Sequence, residues 1–121
     1  MPDLDAPADL AVLVDTWSPL PDVASALETD VTHVRQMLRD HQLVALRRDG
    51  VLLVPADLIV DGRVVKGLGG LLTLLADAGY DDAESVRWIF TPDDTLPGRP
   101  VDAMRENRGT EVRRRAQALG F

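Results

Sequence analysis

The run from Leu20 to Val54 constrains this chain more than any other stretch, because its turn signals and apolar spacing dictate an order of elements. Helix, short turn, helix and β-hairpin follow one another, as in a winged helix-turn-helix. Pro21 suits the first turn of a helix, and Asp22 sets a carboxylate near its positive end. Val23, Ala24 and Leu27 are the inward positions, and the small Ala24 lets a second helix cross closely. Glu28-Thr29-Asp30 forms the turn, with Thr29 or Asp30 capping the next helix.

On that second helix, residues placed at about 100° per step put Val31, Val34, Met37 and Leu38 on the core side. Thr32, Gln36 and Arg39 fall opposite, with His33 and Arg35 on the flanks. Thr, Gln and Arg side chains read base edges or grip phosphates in a major groove. A polar outer face alone is what any amphipathic helix has. The hairpin tips the balance. Leu43–Arg48 and Val51–Val54 are β-prone runs separated by Asp49-Gly50, a strong two-residue turn signal. Arg47 and Arg48 sit beside its tip, where a wing meets the phosphate backbone. The expected surface for double-stranded DNA is therefore Thr32, His33, Arg35, Gln36, Arg39, Arg47 and Arg48.

Charge limits how such a surface works. The formal net charge is −7, which argues against a nonspecific nucleic-acid coat. Residues 1–34 hold seven acids and no Lys or Arg, while the other thirteen acids are matched by all thirteen basic residues. Any DNA-facing surface must be a local patch, with modest and salt-sensitive binding. There is no cysteine, so disulfides, thiol catalysis and cysteine-ligated zinc are excluded. Neither a basic leader nor a long apolar run opens the chain, which predicts a soluble, cytoplasmic protein.

Residues 1–8 read as a loose acidic tail. Asp9 to Trp17 reads as a short helix with Leu10, Leu13, Val14 and Trp17 inward and Asp9 as its cap. After the hairpin, Pro55–Leu58 makes one helical turn. Ile59-Val60 and Arg63–Val65 then flank Asp61-Gly62, as a second hairpin or as an extended loop. Lys66-Gly-Leu-Gly-Gly70 fails the spacing of both phosphate-loop and dinucleotide fingerprints and reads as a flexible joint. Leu71–Ala78 is an apolar helix stopped by Gly79. Asp81 and Glu84 open the next as a capping box, which explains these acids more cheaply than a metal would. That helix runs to Phe90, with Val86, Ile89 and Phe90 inward and Trp88 on another face.

Pro100 opens a short helix to about Glu106. Thr110 caps a last one, with Val112, Ala116 and Leu119 buried and Gly120-Phe121 ending it. Arg113, Arg114 and Arg115 face outward, towards solvent or intramolecular acids rather than DNA. His33 and His41 lie eight apart on one helix, too far for a two-ligand site, and His41 leans inward as a structural residue. No catalytic set, cofactor or metal site emerges, so an enzyme is not expected.

These residues give the chain a resemblance. Val34–Leu43, Arg47–Gly50, Val54–Ala56, Arg63–Gly67, Arg87–Asp94, Leu96–Ala103 and Glu111–Leu119 resemble a small actinobacterial family of winged helix-turn-helix DNA-binding proteins. The Gly98–Met104 step also resembles the toxin-binding domain of Xre/MbcA/ParS-type antitoxins. The family resemblance implies DNA binding through the Thr32–Arg39 helix and the Arg47-Arg48 wing. It further implies a Ser/Thr protein kinase acting on a threonine in the N-terminal tail, yet this chain has no Ser or Thr before Thr16. Glu28 also departs, standing where glycine commonly makes the turn.

The expected fold is mainly α with a small β-hairpin wing. It comprises a tail (1–8), a winged helix-turn-helix (9–60) and a C-terminal helical bundle packed on it (61–121). The expected function is DNA binding as a transcriptional regulator, with the 31–41 helix in the major groove and the 43–54 hairpin on the backbone. The alternative is an antitoxin-like module that binds a partner protein through its C-terminal helices. No long heptad helix is present to pair two copies, which predicts a monomer or weak dimer.

Overall fold

Backbone reversals, more than long elements, shape the structure. The computed structural model describes residues 8–96 and 98–119. The acidic tail to residue 7 and the Gly120-Phe121 cap lie outside them. The chain runs α1 (Ala8–Leu13), β1 (Trp17–Pro19), α2 (Leu20–Ala26), α3 (Val31–Arg39), β2 (Leu46–Arg48) and β3 (Val51–Pro55). A 3-10 turn (Ala56–Leu58) leads into β4 (Ile59–Val60) and β5 (Arg63–Val64). Then come α4 (Leu68–Asp77), α5 (Asp82–Phe90), α6 (Pro100–Arg105) and α7 (Gly109–Ala118). This is a winged helix-turn-helix with a small antiparallel sheet, followed by a helical C-terminal half.

Asp49 and Gly50 both have positive φ, 50° and 79°. That is the turn geometry whose twist matches paired strands, and it sets Arg47 opposite Leu52 and Arg48 opposite Val51. Asp61-Gly62 repeats it (φ 51° and 76°) between β4 and β5, so the second run is a hairpin and not an extended loop.

Four expectations about elements are corrected. Trp17 is not on the first helix, which ends at Leu13; it opens β1 and pairs with Pro55, giving the sheet a third strand in the order β1-β3-β2. Lys66–Gly70 is no joint, because α4 begins at Leu68 and takes in Gly69 and Gly70. Thr110 is the second residue of α7, not its cap, which falls at Arg108 without a side-chain bond. Asp9 likewise lies within the first turn of α1 and is engaged elsewhere.

Four helices end by one device. At the end of α4, the Gly79 N–H bonds Ala76 O and the Tyr80 N–H bonds Leu75 O, with Gly79 at φ 93°. The same pair of bonds closes α2 through Glu28 (φ 56°), α3 through His41 (φ 56°) and α6 through Asn107 (φ 63°). The first two of these residues bear side chains that disfavour the left-handed region.

A single apolar cluster joins Leu10, Val34, Val54, Leu75, Ile89, Phe90 and Val112 across the molecule. Each fully buried Val, Leu, Ile or Phe there contributes about 1.5–3 kcal/mol. Two polar clamps flank this core. Arg87 Nε donates to Asp9 Oδ2 at 2.7 Å, tying α5 to α1 and holding the Asp9 carboxyl below its usual range. Arg99 donates to both Asp102 oxygens (2.8 and 2.9 Å), to Asp57 Oδ2 (3.4 Å) and to Leu13 O (3.5 Å), and lies 5.5 Å over the Phe90 ring. The hydrogen bonds from Arg99 keep the Asp102 carboxyl below its ordinary value.

Two outcomes follow for stability. Glu28→Gly removes a Cβ from a left-handed position and raises stability by about 0.5–1 kcal/mol in denaturant unfolding; an unchanged or lower midpoint refutes the strain. Asp102→Asn costs about 1–2 kcal/mol near neutral pH. Because the Asp102 pKa is depressed in the folded state, that difference is full above about pH 4 and vanishes as pH falls through the folded value. Unfolding curves for both proteins across acid pH give the comparison, and a constant gap removes the ion pair as its source.

Candidate nucleic-acid interface

The α3 helix is nine residues long, about 13 Å at the ordinary helical rise. Asp30 is its cap, with Oδ1 accepting from the His33 N–H at 2.8 Å, which settles the choice between Thr29 and Asp30. Val34 is its one fully buried residue, and Val31, Met37 and Leu38 are half-buried against the core. This anchoring fixes the rotation of the helix. Thr32, Arg35, Gln36 and Arg39 are all exposed, at positions i, i+3, i+4 and i+7, and so form one outward stripe. His33 is exposed on the flank.

Part of the stripe is already bonded to itself. The Gln36 Nε2 donates to both Asp40 oxygens, at 3.0 and 3.1 Å, and Arg39 Nη2 donates to Gln36 Oε1 at 2.7 Å. This Arg39–Gln36–Asp40 chain lies in solvent, where such pairs contribute only about 0.2–0.5 kcal/mol each. It orders the two long side chains, yet costs little to exchange for contacts with a ligand. Asp40 was not among the expected site residues, although its i+4 spacing from Gln36 is the signal for such a pair.

Arg47 and Arg48 are exposed on β2, the outer strand of the sheet. Successive side chains alternate faces, so the two guanidinium groups leave opposite sides of the ribbon. Arg47 Nη1 donates to Gly50 O at 3.4 Å, across the tip. Among the described residues, Arg35 and Arg48 make no bond to a neighbour. Helix and wing are brought together at one end: Arg39 and Leu52 line the same cleft, and Leu52 is the strand partner of Arg47.

His41 is corrected. The expected helix to residue 41 stops at Arg39, and His41 is exposed on the reversal that follows. The C-terminal arginines divide. Arg113 and Arg114 are exposed, whereas Arg115 is half-buried and donates to Thr95 O at 3.2 Å.

Residues 5–59 match the family model described as DNA-binding protein Rv2175c, wHTH domain, and residues 65–120 match the Rv2175c C-terminal domain of unknown function. The chain belongs to the Rv2175c family. A relative from Mycobacterium tuberculosis (strain H37Rv), named DNA-binding protein Rv2175c, is 44% identical, with 84% of this chain and 79% of that protein covered. The solved structure described as the NMR structure of Rv2175c superposes with a TM-score of 0.80 at 43% identity, over 88% of this chain and 82% of that one. The stripe on α3 and the basic wing both lie within the family's winged helix-turn-helix span.

Asp40→Ala releases the Gln36 amide. We expect the Gln36 side-chain amide protons in an NMR spectrum to move towards positions of a free glutamine, with stability lowered by about 0.2–0.5 kcal/mol. Resonances that stay in place show that the bonds to Asp40 do not hold the side chain.

Proposed function

We propose that this chain binds double-stranded DNA as a transcriptional regulator, with α3 seated in the major groove and the β2–β3 wing on the backbone. One observation carries the reading. Anchored by Val34, the winged helix-turn-helix half turns Thr32, Arg35, Gln36 and Arg39 outward as one stripe. The 44% identical relative that bears the name DNA-binding protein supports it.

Each residue has a role its chemistry allows. Arg39 and Gln36 carry the donors and acceptors that recognise guanine and adenine edges, and their existing hydrogen bond holds them extended and side by side. Thr32, at the start of the helix, reaches a base methyl group or a phosphate. Arg35, Arg47 and Arg48 neutralise phosphates, and His33 borders the groove. With Asp30 and Asp40 at the two ends of α3, carboxylates fence this basic strip. A fence of that kind repels any phosphate lying off the strip, so the protein gains position as well as attraction.

The acidic balance sets the strength. Few phosphates are neutralised, so binding weakens with salt along a shallow line of slope about −0.9 per phosphate contacted. Fluorescence anisotropy on a selected DNA site and on random duplex separates the roles. Arg39→Ala lowers affinity for the selected site by about 1–3 kcal/mol and narrows its advantage over random DNA. Arg48→Ala weakens both alike and reduces the salt slope by about one. Unchanged affinity in both folded variants removes this surface from the interface.

A further inference from the structure

Behind α3 lies a cleft of about 240 Å³ that shares only Arg39 with the proposed DNA-binding surface. One wall is Leu38, Leu43 and Leu52, from the winged half; the other is Leu72 and Ala76 of α4. It is smaller than the sites that hold drug-sized molecules, so its occupant is a small metabolite.

Polar groups reach it from two elements. Arg39 and His41 come from the end of α3, and Asp82 and Ser85 from the first turn of α5. Ser85 is only 4% exposed and lines the cleft. Burial pushes the Asp82 carboxyl above its usual range; His41 pulls it back, and Asp81 raises it further. Arg39 and Asp82 bring opposite formal charges to the one cleft, as the two groups on the α-carbon of a free amino acid do.

We propose that this cleft binds a free α-amino acid with an apolar side chain. Its ammonium meets Asp82 and Ser85, its carboxylate meets Arg39 and His41, and its side chain lies among the leucines. A purely apolar guest leaves Ser85 and Asp82 unpaired, which is costly. A guest with one charge leaves either the basic or the acidic side unmatched. Arg39 belongs to both surfaces, since it lines the cleft and bonds Gln36 on the outer stripe. A bound carboxylate draws Arg39 away from that stripe. On the DNA-binding reading above, on which this step rests, the amino acid lowers DNA affinity.

The test has two arms, both on the full chain. In the first, NMR amide spectra follow titration with L-leucine and L-phenylalanine, and with phenethylamine and phenylacetate, which carry one charge each. Saturable shifts at Leu38, Leu72 and Ser85 are expected with both amino acids. They should be about tenfold weaker in Asp82→Asn, severalfold weaker in Ser85→Ala, and weaker for both single-charge compounds. No saturable shift with either amino acid overturns the site, and equal binding of a single-charge compound overturns the ligand class.

The second arm measures DNA affinity by anisotropy with and without L-leucine. A fall of about fivefold or more in the wild type, absent in Asp82→Asn, supports the coupling. An unchanged affinity despite cleft binding overturns it. If the protein binds no DNA under either condition while the cleft shifts persist, the DNA reading fails and the amino-acid site stands.

Discussion

The rotation of α3 about its own axis is the constraint on which this molecule depends. Val34 alone is fully buried on that helix, and it can hold one azimuth only because the backbone reverses sharply at both ends. Glu28 and His41 accept positive φ to do so, at a cost of about 1–2 kcal/mol each where glycine would pay nothing. The reversals return the chain at once to the core, through Leu20–Ala24 on one side and Leu43–Leu46 on the other. A longer or looser turn would let α3 roll, and a roll of one residue's angle would carry Arg39 off the stripe. The strain at these sites is thus offset by burial elsewhere and spent on orientation.

The two family-matched halves share the core rather than merely touching. Arg99, in the second half, reaches the carbonyl that ends α1 and the Asp57 carboxylate beside the wing, while its own helix supplies Asp102. Arg87 grips Asp9 on the other flank. Such contacts favour a fixed arrangement, since each guanidinium loses several bonds if the halves separate. The cleft at the end of α3 opens on this joint, lined by Leu38 and Leu52 from one half and Leu72 and Ser85 from the other, which makes it a natural point for a signal to enter.

Much of this was legible in the sequence where local chemistry decides. The Asp49-Gly50 pair dictated the first hairpin while Asp61-Gly62 left the second open to a loop, the Asp81/Glu84 spacing dictated a capping box, and the apolar period around Val34 set which side of α3 faces out. What escaped was non-local or locally contradicted. Trp17–Pro19 is too short to alternate and contains a proline; it is a strand only because β3, far along the chain, offers it a partner. Gly69 and Gly70 argue against a helix by propensity, yet Leu68, Leu71, Leu72 and Leu75 bury one face and override it. His41 has a helical phase, but its φ of 56° ends the helix. Of the candidate site, the stripe and wing arginines were readable from period and turn. The Gln36–Asp40 bonds needed only an i+4 count, whereas the meeting of His41 and Asp82 at one cleft required the tertiary fold.

An acidic protein proposed to grip a polyanion must separate its charges, and the structure shows how a chain of net charge −7 can do so. Several of its acids are held in structural tasks: Asp9 and Asp102 on arginines, Asp30 and Asp81 at helix caps, Asp40 on Gln36. Each is thereby pinned to a helix end or an internal partner. Arg35 and Arg48, by contrast, are left without bonds among the described residues, on the faces that lead outward. Because screening limits a surface charge to about 10 Å at ordinary salt, a phosphate close to those arginines feels them and not the distant carboxylates. Net charge then governs approach and solubility, while the local arrangement governs docking. The same division explains why Asp40 matters more than its single charge suggests, standing within one helical turn of the residues that would read the bases.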